Sequence, residues 1–373
     1  MQKTTQRQLI MDFYRTNVAN NLILSHDDDQ INYNYKSINN NSFSIHQRRY
    51  IGNKTKLSNW IMNIILSETK NCCSFCDIFA GTATVANEAF KYYDKVIVND
   101  LLYSNNIIYK AFFNPKEWDR SKIFSIIEKW NMIEPDIIKE NYFSENFGGK
   151  FFEQNTAKII GYIREDIENK KNTLTEKEYN ILLATLIYNI DKVANTVGHF
   201  DAYIKKPIRK QNIIFKPINV IDFNGIEIYQ ENANELSKKI NSDIVYIDPP
   251  YNSRQYSRFY HLYENLIKWE KPNLYGVALK PTPENMSKYC TVDAKKEFKE
   301  LIENLNAKYI AVSYNNTYNS KSNSSRNKIE LDEIQSILSQ KGETKFFESS
   351  HSYFNTGKTN FADHKELLFL VKT

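Results

Sequence analysis

Asp248, Pro249, Pro250 and Tyr251 are the residues of this chain with the clearest chemical use. They close the stretch Ser242 to Tyr251, SDIVYIDPPY, in which Ile244, Val245, Tyr246 and Ile247 form a short apolar run suited to a parallel strand covered on both faces. Ligands of open α/β sheets bind beyond the carboxyl ends of the strands, so Asp248 is delivered to the mouth of a site. The two prolines stiffen the turn and leave the Pro249 carbonyl as an acceptor beside the carboxylate. An amine held by both acceptors would donate its two hydrogens and present its lone pair outward, with Tyr251 stacked on the ring that carries it. That geometry suits a nucleobase amino group. A strand followed by a proline turn and a solvated aspartate is the plainer reading of the bare tripeptide; the aromatic ring and the partners below favour the site.

Those partners begin at Ser74 to Asn87, SFCDIFAGTATVAN, read as a strand, a small-residue turn and a helix start. Asp77, Phe79, Ala80, Gly81 and Thr82 let the backbone approach a ligand closely, where nucleotide-like ligands lie in such sheets. The full G-x-G-x-x-G pattern is missing, which favours a ligand without a pyrophosphate. The next strand, Val96 to Val98, ends in Asn99 and Asp100. An acid about 20 residues beyond the glycine turn is placed to bind ribose hydroxyls. A third strand, Ile226 to Glu231, leads to Asn232 and Ala233, and Asn232 is expected to face the ring of the same ligand.

Upstream, Gln47 to Leu66 carries a turn at Gly52 and Asn53 and then Leu57, Trp60, Ile61, Ile64 and Ile65 at helical spacing. With Lys54 and Lys56 this is a candidate anion site, a solvated lysine pair being the alternative. In Gly198 to Gln211, GHFDAYIKKPIRKQ, the residues Lys205, Lys206, Arg209 and Lys210 follow Phe200 and Tyr203, a mixture suited to phosphate contact and base stacking. Arg254 and Arg258, beyond the Asp-Pro-Pro-Tyr turn, are further candidates for phosphate or base contacts. His199, His351 and His364 share no spacing and receive no catalytic or metal role.

The elements that must position these residues divide the 373-residue chain into blocks. Residues 1–45 read as an arm or linker containing an amphipathic segment, Leu9 to Val18; 46–110 and 223–373 carry the βα alternation; 111–222 interrupt it with a mainly helical insertion that includes a helix from Tyr179 to about Val197. Ala307 to Tyr314, Ile334 to Leu338 and Glu366 to Val371 complete the sheet as strand, helix and strand. The aromatic share is 14%, with 25 Tyr and 22 Phe, which supplies rings for stacking as well as packing. A net charge of +5 and a pI near 8.7 are compatible with a polyanionic partner without requiring one. Cys72, Cys73 and Cys76 cluster without a second C-x-x-C, and Cys290 stands alone, so buried free thiols are expected rather than a zinc site. With no apolar run of about 18 residues and no signal-like start, neither a membrane span nor secretion is expected, and a cytoplasmic protein is.

Arg49 to Lys54 (RYIGNK), Asp77 to Thr82 (DIFAGT), Asp100 and Asp248 to Tyr251 (DPPY), in that order, resemble the Dam-like, alpha-ordered DNA adenine methyltransferases, over roughly Gln47 to Thr373. Val193 to Lys206 is similar to the subset associated with type II restriction-modification systems. The resemblance implies a Rossmann-like, seven-stranded, mostly parallel sheet with an inserted target-recognition domain. It implies methyl transfer from S-adenosylmethionine to the 6-amino group of an adenine flipped out of double-stranded DNA. On matching positions, Tyr50 and Lys54 approach the methionine end of the cofactor, Phe79 to Thr82 line it, and Asp100 holds its ribose. Asn232 stands where the family often has an acid. A paired restriction endonuclease and a monomer in solution are further expectations. An RNA adenine methyltransferase would use the same site, and a non-catalytic nucleic-acid-binding protein on this fold is the alternative of another class. A protein glutamine methyltransferase is disfavoured by Asp248, where that relative usually has Asn.

Overall fold

Residue parity along the strands divides the core in two. Phe75, Val96, Val98, Ile244 and Tyr246 point into one apolar cluster, and their neighbours Cys76, Ile97, Val245 and Ile247 into another. A sheet buried on both faces needs such continuous apolar runs and cover on each side. The computed structural model describes residues 42–208, 210, 212–250, 253–315, 329–350 and 365–373. The amphipathic segment Leu9 to Val18, Arg209, Tyr251, His351 and His364 lie outside the described residues.

The chain runs through α1 (Ser58–Glu68), β1 (Ser74–Asp77), α2 (Thr84–Ala89), β2 (Lys95–Asn99) and α3 (Tyr103–Phe113). The inserted block supplies α4 (Arg120–Asn131), α5 (Tyr142–Phe147), α6 (Gln154–Asn169) and α7 (Glu176–Val193). Alternation resumes with β3 (Ile226–Tyr229), α8 (Ala233–Ser237), β4 (Ile244–Ile247), α9 (Tyr256–Phe259), α10 (His261–Lys268) and α11 (Ala294–Asn304). β5 (Tyr309–Asn315), α12 (Leu331–Lys341), β6 (Glu343–Ser350) and β7 (Lys365–Lys372) finish the fold. The seven-stranded sheet has the order β3-β2-β1-β4-β5-β7-β6. β3 through β5 are parallel neighbours, and β7 is antiparallel to both β5 and β6. Asp77 is level with Val98 on one side and Tyr246 on the other. Two residues further along their own strands, Asp100 and Asp248 therefore leave the sheet at the same carboxyl edge.

α7 starts and ends somewhat earlier than its apolar periodicity predicts. Its start is set by Thr175 and Glu178, which form a capping box. Its end is held by Arg49, whose guanidinium donates to the Asp191 and Thr196 carbonyls, the latter at 3.1 Å, and whose Nε reaches the Asp191 carboxylate at 3.4 Å. β6 escapes the sequence reading because its residues, ETKFFESS, are largely polar, as an outer strand allows. Cys72, Cys76 and Cys290 are buried free thiols, as expected, but Cys73, just before β1, is exposed.

The inserted helices build no separate core. Ile160 and Ile163 of α6 and Leu183 and Ile187 of α7 join the cluster that covers the Phe75 face, together with Ile61 of α1 and Phe112 of α3. Leu236, Phe298, Leu301 and Leu338 cover the other face. Arg164 fastens the inserted block to the segment after the proline turn. Wholly buried on α6, it donates to the Leu266 and Ile267 carbonyls at 2.5 and 3.2 Å, capping α10, and pairs with Glu168 at 2.9 Å. Replacing it strands those carbonyls without a donor. Arg164→Ala should therefore cost about 3 kcal/mol of stability, read as a lower thermal midpoint; an unchanged midpoint would show that the cap holds nothing.

Candidate active site

Tyr50, Lys54, Asp77, Phe79, Ala80, Gly81, Thr82, Asp100, Asn232 and Ala233 line one cleft at the carboxyl edge of the sheet, and Asp248, Pro249 and Pro250 line it with them. The spacing of these groups is set by Asn99, which sequence reading left without a role. Buried at the last position of β2, Asn99 donates from Nδ2 to the Ile78 and Glu231 carbonyls, both at 3.0 Å, and accepts from the Glu231 N–H at 2.9 Å. One amide thus ties together the ends of three adjacent strands. By residue type alone it is indistinguishable from an ordinary turn asparagine.

Asp100 accepts the Gly81 N–H at 3.1 Å on one oxygen and the Leu102 N–H at 2.8 Å on the other. Burial raises its pKa, and these donors oppose the shift. The Asn105 side chain donates to Asp100 as well, so part of its acceptor capacity is left for a ligand hydroxyl. Gly81 has φ +52°, and a Cβ there would lie 3.3 Å from the Tyr50 ring, so the turn needs glycine for conformation and for room. Tyr50 is itself fixed, stacked on Tyr260 at 4.6 Å with 9° between planes and within 5.4 Å of Tyr256. The buried Arg48 guanidinium lies 4.9 Å from its centroid. Asn232 caps α8, its Oδ1 accepting from the Asn234 N–H at 2.9 Å, so one of its two oxygen lone pairs is already used.

Lys54 does more than the resemblance implies for it. Its buried ammonium bridges the Asp248 carboxylate, with Nζ 2.9 Å from Oδ1 and 2.8 Å from Oδ2. Burial pushes the Asp248 carboxyl up to about 6, against the pull of Lys54. Burial would lower the pKa of Lys54, and Asp248 more than reverses this, so the ammonium stays charged. Burial and then the charge of Asp248 push Asp77 well above the usual carboxylate range. Three carboxyl groups and one ammonium thus share a poorly solvated floor, an arrangement that accepts hydrogen bonds from amines and holds a cation.

The basic candidates separate. Lys205, Lys206 and Lys210 are exposed. Arg254 is also exposed and lies 3.5 Å from the Asp201 carboxylate, which Lys280 bonds as well, so the 198–206 loop and the segment after the proline turn are held together. Arg258 is partly buried and donates to the Pro281 carbonyl at 2.6 Å, which commits one arm of its guanidinium to the fold. The far rim was not anticipated. The Tyr289 ring meets Phe79 edge-on at 5.0 Å, and Gln255 and Ser287 exchange two hydrogen bonds of 2.9 and 2.8 Å. The stretch PENMSKY, 283–289, has neither period nor motif that would place it at a site.

Asp248 is the stronger acceptor when ionised, so if it holds a substrate amine, activity should be retained above its pKa and fall as pH drops through about 6. Lys54 holds that pKa down. Lys54→Met should therefore move the acid limb of the single-turnover rate to higher pH, whereas a limb that stays in place would show the ion pair to be irrelevant to the reacting form.

Residues 50–318 match the model of the D12 class N6 adenine-specific DNA methyltransferases. The chain is 30% identical over 333 residues to the type II methyltransferase M.NlaIII of Neisseria lactamica, covering 85% of this chain and 95% of that protein. It is 30% identical over 332 residues to the type II methyltransferase M.CviAII of Paramecium bursaria Chlorella virus 1, with coverage of 86% and 97%. Against the type II methyltransferase M.FokI of Planomicrobium okeanokoites identity is 33% over 321 residues, 79% of this chain but 47% of that protein. The matched region takes in β1 to β5 and the carboxylates at their ends, and on that ground the chain belongs to the D12 class N6 adenine-specific DNA methyltransferases.

Proposed function

We propose that this enzyme takes its methyl group from S-adenosylmethionine and places it on an adenine flipped out of duplex DNA, as the modification partner of a type II restriction endonuclease. The observation that carries the reading is the Asp248 carboxylate beside Pro249 in a cleft that also holds Asp77 and Asp100.

The residues present fit the cofactor. Asp77 Oδ1 is buried without a hydrogen-bond partner among the described residues, and an ammonium such as the cofactor's α-amino group satisfies it. The acceptor capacity left on Asp100 suits a ribose hydroxyl, and the left-handed turn at Gly81 lets the backbone lie against the ligand. Tyr50 and Phe79 give it apolar walls, and Asn232 and Ala233 lie toward its ring. When bound, the cofactor supplies a methyl group on a positively charged sulfur.

The chain's own task is to make an aromatic amine nucleophilic. The lone pair of an adenine amino group is delocalised into the ring. Hydrogen bonds from its two hydrogens to Asp248 and the Pro249 carbonyl favour a pyramidal nitrogen and concentrate density where the methyl group is met. Lys54 contacts both Asp248 oxygens and so fixes the carboxylate in the cleft. Extrusion of the base costs about a few kcal/mol, and stacking on Tyr251 offsets part of it. Lys205, Lys206, Arg209, Lys210 and Arg254 are assigned to the phosphate backbone, and Arg258 to a minor role beside them.

Labelled S-adenosylmethionine and unmethylated genomic DNA of mixed sequence should give N6-methyladenine confined to one short motif, read by nucleoside analysis and single-molecule sequencing. Incorporation into RNA in preference to DNA would overturn the duplex substrate.

A further inference from the structure

Among the described residues, two buried side-chain polar atoms without a hydrogen-bond partner belong to residues lining the cleft: Oδ1 of Asp77 and Nδ2 of Asn285. The first is an acceptor suited to the cofactor's ammonium. The second is a donor, in a segment to which no motif points.

Asn285 is also held in an uncommon backbone state, with φ +49°. Asparagine tolerates the left-handed region better than most residues, which accounts for its backbone. That tolerance does not account for an amide nitrogen buried with its N–H donors unmet. Functional sites are where such local cost is retained. The amide is also fixed in position. Two residues on, Ser287 is clamped by Gln255 through hydrogen bonds of 2.9 and 2.8 Å, and Tyr289 is anchored by its hydroxyl on Asn234 Oδ1 at 2.9 Å and by its ring against Phe79. Gln255, Ser287, Tyr289 and Phe79 line the same cleft.

We infer that Asn285 is a purine-binding residue whose Nδ2 donates to a ring nitrogen of an adenine held in the cleft. The inference rests on the reading of the cleft given above, in which both bound partners carry an adenine. An adenine ring nitrogen is an acceptor, as this donor requires, and the contact would select against any group that presents an N–H at the same point. The same chemistry is offered by the cofactor's adenine and by the target base, and the two are separable by measurement.

Asn285→Gly removes the donor and accepts the left-handed backbone without strain, so it should melt at or above the wild-type temperature. Asn285→Asp keeps the size and replaces the donor by an acceptor. If the cofactor's adenine is the partner, Asn285→Gly should bind S-adenosylhomocysteine about tenfold more weakly by calorimetry, and Asn285→Asp more weakly still. If the target base is the partner, affinity for S-adenosylhomocysteine should hold while kcat/KM for unmethylated genomic DNA falls about tenfold. An Asn285→Gly protein equal to wild type in both measurements would overturn the inference and leave asparagine there as a backbone accommodation. A wild-type protein that bound no S-adenosylhomocysteine would overturn the reading of the cleft and, with it, this contact.

Discussion

The fold depends most on a carboxylate that cannot be left alone: Asp248, at the end of β4, in a cleft too poorly solvated to hold an isolated charge cheaply. Its compensation is Lys54, nearly 200 residues earlier in the chain, at hydrogen-bond distance from both carboxylate oxygens. A buried charge that loses its partner destabilises a protein far more than a surface pair does. The turn that carries Lys54 must therefore be docked before the cleft is complete. Tyr50, stacked on Tyr260, and the Ile51 N–H, bonded to the Tyr260 hydroxyl at 2.8 Å, perform that docking.

The inserted block is part of the same device. Arg49 lies one residue before Tyr50 and caps α7, and Tyr263 of α10 donates to Asp191 of α7 at 2.8 Å. Arg164 of α6 in turn caps α10. The inserted helices and the helices that follow the proline turn are thus connected through charge-assisted hydrogen bonds.

Much of this was legible in the residues. β1, β2, β4 and β5 are short apolar runs that end in polar or turn-forming residues, and parallel strands buried on both faces leave that signature. That Asp77, Asp100, Asn232 and Asp248 meet in one cleft followed from strand ends, because topology brings all carboxyl ends to one edge. Other features are invisible to periodicity. Asn99 braces three strands through pairings hundreds of atoms apart in the chain, and nothing near it in sequence announces them. The Lys54 to Asp248 pair is likewise a product of packing, and so are the half-buried state of Arg258 and the rim formed by 283–289. β6 was missed because a sheet edge tolerates polar residues, and the exposure of Cys73 because adjacent cysteines before a strand, Cys72 and Cys73, differ in burial.

Asp248 is proposed as the acceptor that makes the adenine amino group nucleophilic, with the cofactor held by other residues. Single-turnover methylation by Asp248→Ala, on protein whose thermal melt shows it folded, tests this most directly. The account predicts a rate lower by at least about a hundredfold, with affinity for S-adenosylhomocysteine within a few fold of wild type. A folded Asp248→Ala enzyme that methylated DNA at the wild-type rate would contradict it.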